Sequence, residues 1–155
     1  MLIHSVRTAV AAVLSILVAR LARLPEAYWA GITTLVITQS SLGAALPISF
    51  DRFMGTALGC LFAALVANYF GPSAAVYGVS VFLLGLLIAA SRLNRSAYRL
   101  GGVALTIVLL IPRTGAAWRV AFHRFAEVSI GIAVALVLTA IWPDPEPPAP
   151  AAAKK

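Results

Sequence analysis

Three groups of polar side chains interrupt an otherwise apolar sequence, and their types and spacing define the chemistry open to it. The first is Thr33, Thr34, Thr38, Gln39, Ser40 and Ser41. Thr34, Thr38 and Ser41 follow one another at three-to-four spacing, which puts their hydroxyls on one face of a helix. Such a row can line an aqueous pathway or bind a solute's oxygens, and it can equally make interhelical bonds or bond back to the preceding turn. The second group is Asp51 with Arg52, just before Gly55 and Thr56. A guanidinium there can hold a carboxylate through two parallel hydrogen bonds, which a lysine cannot reproduce. The plainer alternative is a helix cap from Ser49 or Asp51 beside a snorkelling arginine. The third group is Arg119, His123, Arg124 and Glu127. Their three- and four-residue separations let them meet on one side of a helix. That cluster can attract an anion and carry a proton, with His123, Glu127 and Asp51 as the proton-coupling candidates. Alternatively, Glu127 only neutralises Arg124.

The elements that must position these groups follow from composition. Of 155 residues, 61% are hydrophobic and only 11% charged, and the mean hydropathy is +0.96. A soluble domain is about half apolar, so lipid is the expected solvent. The charges stand in short clusters between long apolar stretches, and these clusters divide the chain into six segments at 5–21, 27–46, 53–70, 74–90, 97–111 and 118–142. The expectation is an all-α integral membrane bundle of about six transmembrane helices over residues 1–143. A Pro- and Ala-rich tail at 144–155 is expected to be disordered. Segment five is short for a crossing and is expected to be tilted, thinned or broken. Tyr28 and Trp29 suit the headgroup level at the start of segment two. A cleaved signal peptide fits poorly, because Arg20 and Arg23 flank the end of the first segment.

Six crossings put both termini on one side. With that side cytoplasmic, Arg7, Arg52, Arg92, Arg95, Arg99, Lys154 and Lys155 lie inside, against Arg20, Arg23, Arg113, Arg119 and Arg124 outside. This small positive excess favours cytoplasmic termini. The net charge of +7 is spread over segment ends rather than gathered in one tract, which argues against nucleic acid as a partner. Cys60 has no second cysteine to pair with, and the two histidines are far apart, so no disulfide, metal site or cofactor is expected. No enzyme motif is present, including HExxH, CxxC, a Walker loop, GxSxG and the dinucleotide fingerprint.

Small residues mark where helices can approach closely. Gly55, Gly59, Ala63, Ala67 and Gly71 recur at every fourth position, with weaker rows at Ala11, Ser15 and Ala19 and at Gly131, Ala135 and Thr139. Such rows pack helices within one chain or join two chains.

The order of these residues resembles a known family. Tyr28-Trp29-Ala30 precedes Thr33 and Thr34, followed by Ser41-Leu42-Gly43-Ala44. Arg52-x-x-Gly55-Thr56-x-x-Gly59 comes next, and Arg124-x-x-Glu127-x-x-x-Gly131 precedes Trp142-Pro143. The pattern is similar to the fusaric acid resistance family and the bacterial aromatic acid exporters. More distantly it resembles the plant aluminium-activated malate transporters.

The resemblance implies a six-helix unit of a bacterial inner membrane that moves organic anions, either by proton-coupled export or as a channel. On matching positions it makes Arg52 and Arg124 the carboxylate receptors and Glu127 the residue that orients Arg124 or takes a proton. Thr34 and Thr38 then line the path; Gln39 and Arg119 are pathway candidates from their polar groups alone. Typical bacterial members look like two such units with cytosolic domains. A half-size unit is therefore expected to self-associate, a dimer being favoured over a trimer. An accessory membrane-fusion protein is a further expected partner, and a membrane scaffold is the alternative to a transporter.

Overall fold

A computed structural model describes residues 2–38, 41–111 and 115–142. Those residues form six α-helices and no strand: α1 (Leu2–Leu21), α2 (Tyr28–Ile37), α3 (Leu42–Tyr69), α4 (Ala74–Ala90), α5 (Arg95–Leu110) and α6 (Ala117–Ile141). The protein is an all-α membrane bundle. Apolar side chains such as Leu17 of α1, Phe82 of α4 and Val137 of α6 point outward, about half to two-thirds exposed, as a lipid-facing surface requires. The helices α1, α3 and α6 are long and apolar enough to cross a membrane on their own. Gln39, Arg113, Pro143 and the tail at 144–155 lie outside the described residues.

Segment two differs from the expectation. It is not one crossing from 27 to 46, because α2 ends at Ile37 and Thr38 turns to extended backbone. At about 1.5 Å per residue, ten residues reach about 15 Å, half of a hydrocarbon core of about 30 Å. The break falls in the hydroxyl-rich stretch before Ser41, where side chains compete for the backbone bonds that would carry the helix on. Thr38 Oγ1 indeed donates back to the carbonyl of Thr34 at 2.7 Å. Of the alternatives for segment five, a break is absent, since α5 is continuous from Arg95 to Leu110.

The start of α3 moves accordingly. It begins at Leu42 rather than near Phe53, and its N-cap is Ser41, whose side chain accepts from the Ala44 amide. Ser49 and Asp51 are therefore interior helix positions and cap nothing. Pro47 lies inside α3, beyond its first turn, and leaves the Gly43 carbonyl without the amide that would bond it in a regular helix.

The long helices α3 and α6 run antiparallel through the middle. The pair α4 and α5 packs on α3, while α1 and α2 pack on α6. The α3 seam faces α5: a Cβ on Gly55 would strike the Ala97 carbonyl, and one on Gly59 the Gly101 carbonyl. Ala63 is fully buried in the same cluster. Gly55, Gly59 and Ala63 are thus spent on packing within the chain, so this seam cannot also be the contact between copies. On the opposite side, Gly131 of α6 closes on Ala30 and Thr33 of α2. The row Ala11, Ser15 and Ala19 is the buried face of α1. Arg7 extends that face, and its Nη1 donates to the Trp142 carbonyl at 2.7 Å, tying the start of α1 to the end of α6.

Candidate functional site

Two arginines lie inside the bundle. Arg52 of α3 and Arg124 of α6 are 6% and 3% exposed, and each is within electrostatic reach of the other. A buried charge at membrane depth costs several kcal/mol unless it is partnered, so the surroundings of both explain why the site exists.

Arg52 is held by α2. Its Nε and Nη2 donate to Thr33 Oγ1 at 3.2 and 3.0 Å. Thr33 is fully buried, because Gly131 lets α6 approach α2 at that turn. Thr33→Val removes the acceptor of both bonds. It is expected to lower stability by about 1.5–3 kcal/mol, the range for bonds to a charged group, while Thr33→Ser is expected to remain near the parent. Denaturant unfolding in detergent reads the difference.

Arg124 is held differently. Its guanidinium lies over the Trp29 ring, 3.3 Å from the centroid, a cation–π contact that favours a desolvated cation. Its Nε and Nη1 have no hydrogen-bond acceptor among the described residues. One turn further along α6, Glu127 is 1% exposed, and its Oε1 accepts from the Glu26 amide at 2.9 Å. This places the carboxylate at the N-terminus of α2, where unpaired amides and the helix dipole favour negative charge. Glu26 in turn accepts from Trp29 Nε1 at 3.1 Å through Oε2. Both carboxylates are electrostatically coupled to Arg124. The cluster thus gathers two guanidiniums and two carboxyl groups around the start of a half-length helix.

The other residues singled out from the sequence fall around this centre or away from it. Thr34 Oγ1 donates to the Ala30 and Gly131 carbonyls at 3.0 and 3.1 Å, and Thr38 bonds back to Thr34. Both hydroxyls are therefore occupied, Thr34 across the α2–α6 contact and Thr38 within α2. Asp51 is buried and accepts from Asn94 Nδ2 at 3.0 and 3.2 Å, which joins α3 to the start of α5. Arg119 is exposed and lies beside Trp118. His123 is half-buried next to Phe122, so the structure brings Arg124 and Glu127 together but leaves Arg119 and His123 outside the cluster. Gln39 lies outside the described residues. No group of three or more metal-binding side chains occurs among the described residues.

Sequence reasoning missed Glu26 and reads Trp29 only as an interfacial aromatic, whereas its ring carries Arg124. A signal existed for Glu26: it is the only acidic residue before Asp51. On the outer surface between α3 and α6, an apolar niche of about 270 Å³ has Cys60, Trp118, Phe122 and Phe125 in its wall and neither arginine.

A family model described as fusaric acid resistance protein-like matches residues 12–138. The chain belongs to that family. Within the fusaric acid resistance-like family, it is similar to the inner membrane protein YeeA of Escherichia coli (strain K12), with 33% identity over 151 residues. The match covers 92% of this chain and 41% of that relative, so the chain spans about two fifths of the relative's length. No solved structure matches it. The matched region takes in the whole Arg52, Arg124, Glu26 and Glu127 cluster.

Proposed function

We propose that this protein transports organic anions across a bacterial inner membrane, with Arg124 and Arg52 receiving the carboxylate. The observation that carries this reading is Arg124, 3% exposed in the bundle interior with Nε and Nη1 lacking an acceptor. Buried donors are almost always satisfied, and the edge of a guanidinium matches a carboxylate. A small aromatic carboxylate is the proposed ligand, by analogy with the bacterial aromatic acid exporters that the sequence resembles. Export is the proposed direction, by analogy with the bacterial exporters that the sequence resembles.

The pathway is proposed to belong to an oligomer, a dimer in the first instance, since a six-helix unit encloses little room alone. The α3 seam is excluded as its interface, which leaves the outward apolar faces. Glu127 is the proposed proton-coupling group, because its carboxylate sits between Arg124 and the α2 N-terminus.

The test is release of radiolabelled benzoate from proteoliposomes, with and without a pH gradient. Gradient-driven flux is expected from the parent, with a loss of at least tenfold in Arg124→Lys, which keeps the charge but not the planar donor edge. Flux indifferent to the gradient would replace the exporter with a channel. Absence of flux from folded protein would replace both with a membrane scaffold.

A further inference from the structure

The sequence contains a repeat. On α3, Phe50, Arg52, Phe53, Gly59 and Ala63 stand at spacings that recur on α6 as Phe122, Arg124, Phe125, Gly131 and Ala135. Upstream, Arg23-Leu24, Ala27-Tyr28 and Gly31 recur as Arg92-Leu93, Ala97-Tyr98 and Gly101, with one residue inserted. The backbone repeats too. Both α1 and α4 end in a left-handed arginine, Arg23 at φ 56° and Arg92 at φ 55°. The next amides, of Leu24 and Leu93, reach back to the Ala19 and Ile88 carbonyls at 3.1 and 3.3 Å, so the two helices share one C-terminal motif.

Packing follows the same rule. Gly59 of α3 meets the backbone of α5, and its equivalent Gly131 of α6 meets the backbone of α2. The first repeat's α1 and α2 dock on the second repeat's α6, and α4 and α5 dock on α3. Equivalent residues Phe53 and Phe125 touch each other, with ring centroids 5.0 Å apart, as residues on a two-fold axis must. The equivalent helices α3 and α6 run antiparallel, Phe53 meeting Phe125 while Ala64, further along α3, lines a niche with Trp118 at the start of α6, so the second repeat runs opposite to the first.

We infer that the chain is two three-helix repeats of opposite membrane orientation, and that the equivalent guanidiniums of Arg52 and Arg124 form a single carboxylate site where the repeats meet. The ligand rests on the anion reading above, whereas the repeat does not. The equivalence is broken by the partners: Thr33 satisfies Arg52, whereas Arg124 keeps unfilled donors above Trp29. Exchange of the two repeats' conformations would turn the site from one side of the membrane to the other, with each arginine taking the open role in turn.

The orientation is tested in a Cys60→Ala background with single cysteines at Arg23→Cys and Arg92→Cys, both exposed helix ends, using an impermeant maleimide on intact cells. One position is expected to react at once and the other only after permeabilisation. Reaction of both from the same side overturns the inverted repeat. The shared site is tested by equilibrium binding of radiolabelled benzoate to the purified chain. Arg52→Lys and Arg124→Lys are each expected to weaken binding tenfold or more while the variants still elute as folded protein. Undiminished binding in either variant, or none in the parent, overturns the shared site. Opposite labelling without any flux would sink the transport reading and leave the repeat standing.

Discussion

Replacing Glu127 alone with leucine is expected to destabilise the bundle by about 3–5 kcal/mol, the cost of leaving a buried charge without its partner. The double variant Arg124→Met with Glu127→Leu is expected to recover most of that loss. The reasoning starts from burial: Arg124 and Glu127 are 3% and 1% exposed on one face of α6, one turn apart. In the single variant Arg124 keeps its charge and its contact with Trp29 but loses the Glu127 carboxylate, its strongest electrostatic partner. The Glu26 amide at the α2 N-terminus also loses its acceptor. In the double variant neither member of the Arg124–Glu127 pair remains to be desolvated, and apolar side chains of similar volume fill the space. Transport, if it uses Arg124 as proposed, is lost in both. Unfolding in a denaturant series, with benzoate flux measured on the same preparations, separates the two effects. A Glu127→Leu protein within about 1 kcal/mol of the parent would show that Glu127 is not the counter-ion of Arg124.

The second large effect is expected at the α3–α5 seam. Gly59→Leu is expected to abolish the folded bundle, because its Cβ would overlap the backbone carbonyl of Gly101, and backbone cannot swing aside as a flexible side chain can. Ordinary overpacking of a core costs about 1–3 kcal/mol. Here the helices themselves must separate, which also pulls Asp51 from Asn94 at the start of α5. Gly78→Ala in α4 is the control: a Cβ there meets nothing within 4 Å, so it is expected to be neutral or to stabilise by up to about 1 kcal/mol. Size-exclusion chromatography and helical content in detergent report both variants. A monodisperse, fully helical Gly59→Leu protein would show that the α3–α5 approach is looser than described.

The same seam shows why a motif on its own underdetermines its use. Gly55-x-x-x-Gly59 specifies close approach of another helix, but the approach of α5 in the same chain and of α3 in a second chain demand the same small residues. Only the tertiary arrangement chooses between them, and it chooses α5.

Much of the fold was legible in the order of residues. Solvent, class and helix number follow from apolar stretches between charge clusters, because a backbone in lipid has to satisfy its own hydrogen bonds and a helix does so locally. The bounds of α4 at Ala74 and Ala90 are readable for the same reason, with Gly71 and Pro72 before them and Ser91-Arg92 after. Arg52, Arg124 and Glu127 stood out because ionised groups amid apolar sequence are costly and demand partners. The family was readable too, from the spacing of those residues with their neighbouring glycines.

Tertiary structure decided the rest. The break between α2 and α3 was hidden because the stretch from 27 to 46 is apolar enough for one crossing, and hydroxyl side chains serve a continuous helix as readily as a turn. Glu26 and Trp29 became part of the site only because Gly131 lets α6 close on α2, which brings the amide at the α2 N-terminus against Glu127. The separation of Arg119 and His123 from Arg124 is likewise a matter of which way α6 is rotated. Spacing puts these residues on neighbouring parts of one helix surface, but the packing of α2 and α3 against α6 determines which of them is buried.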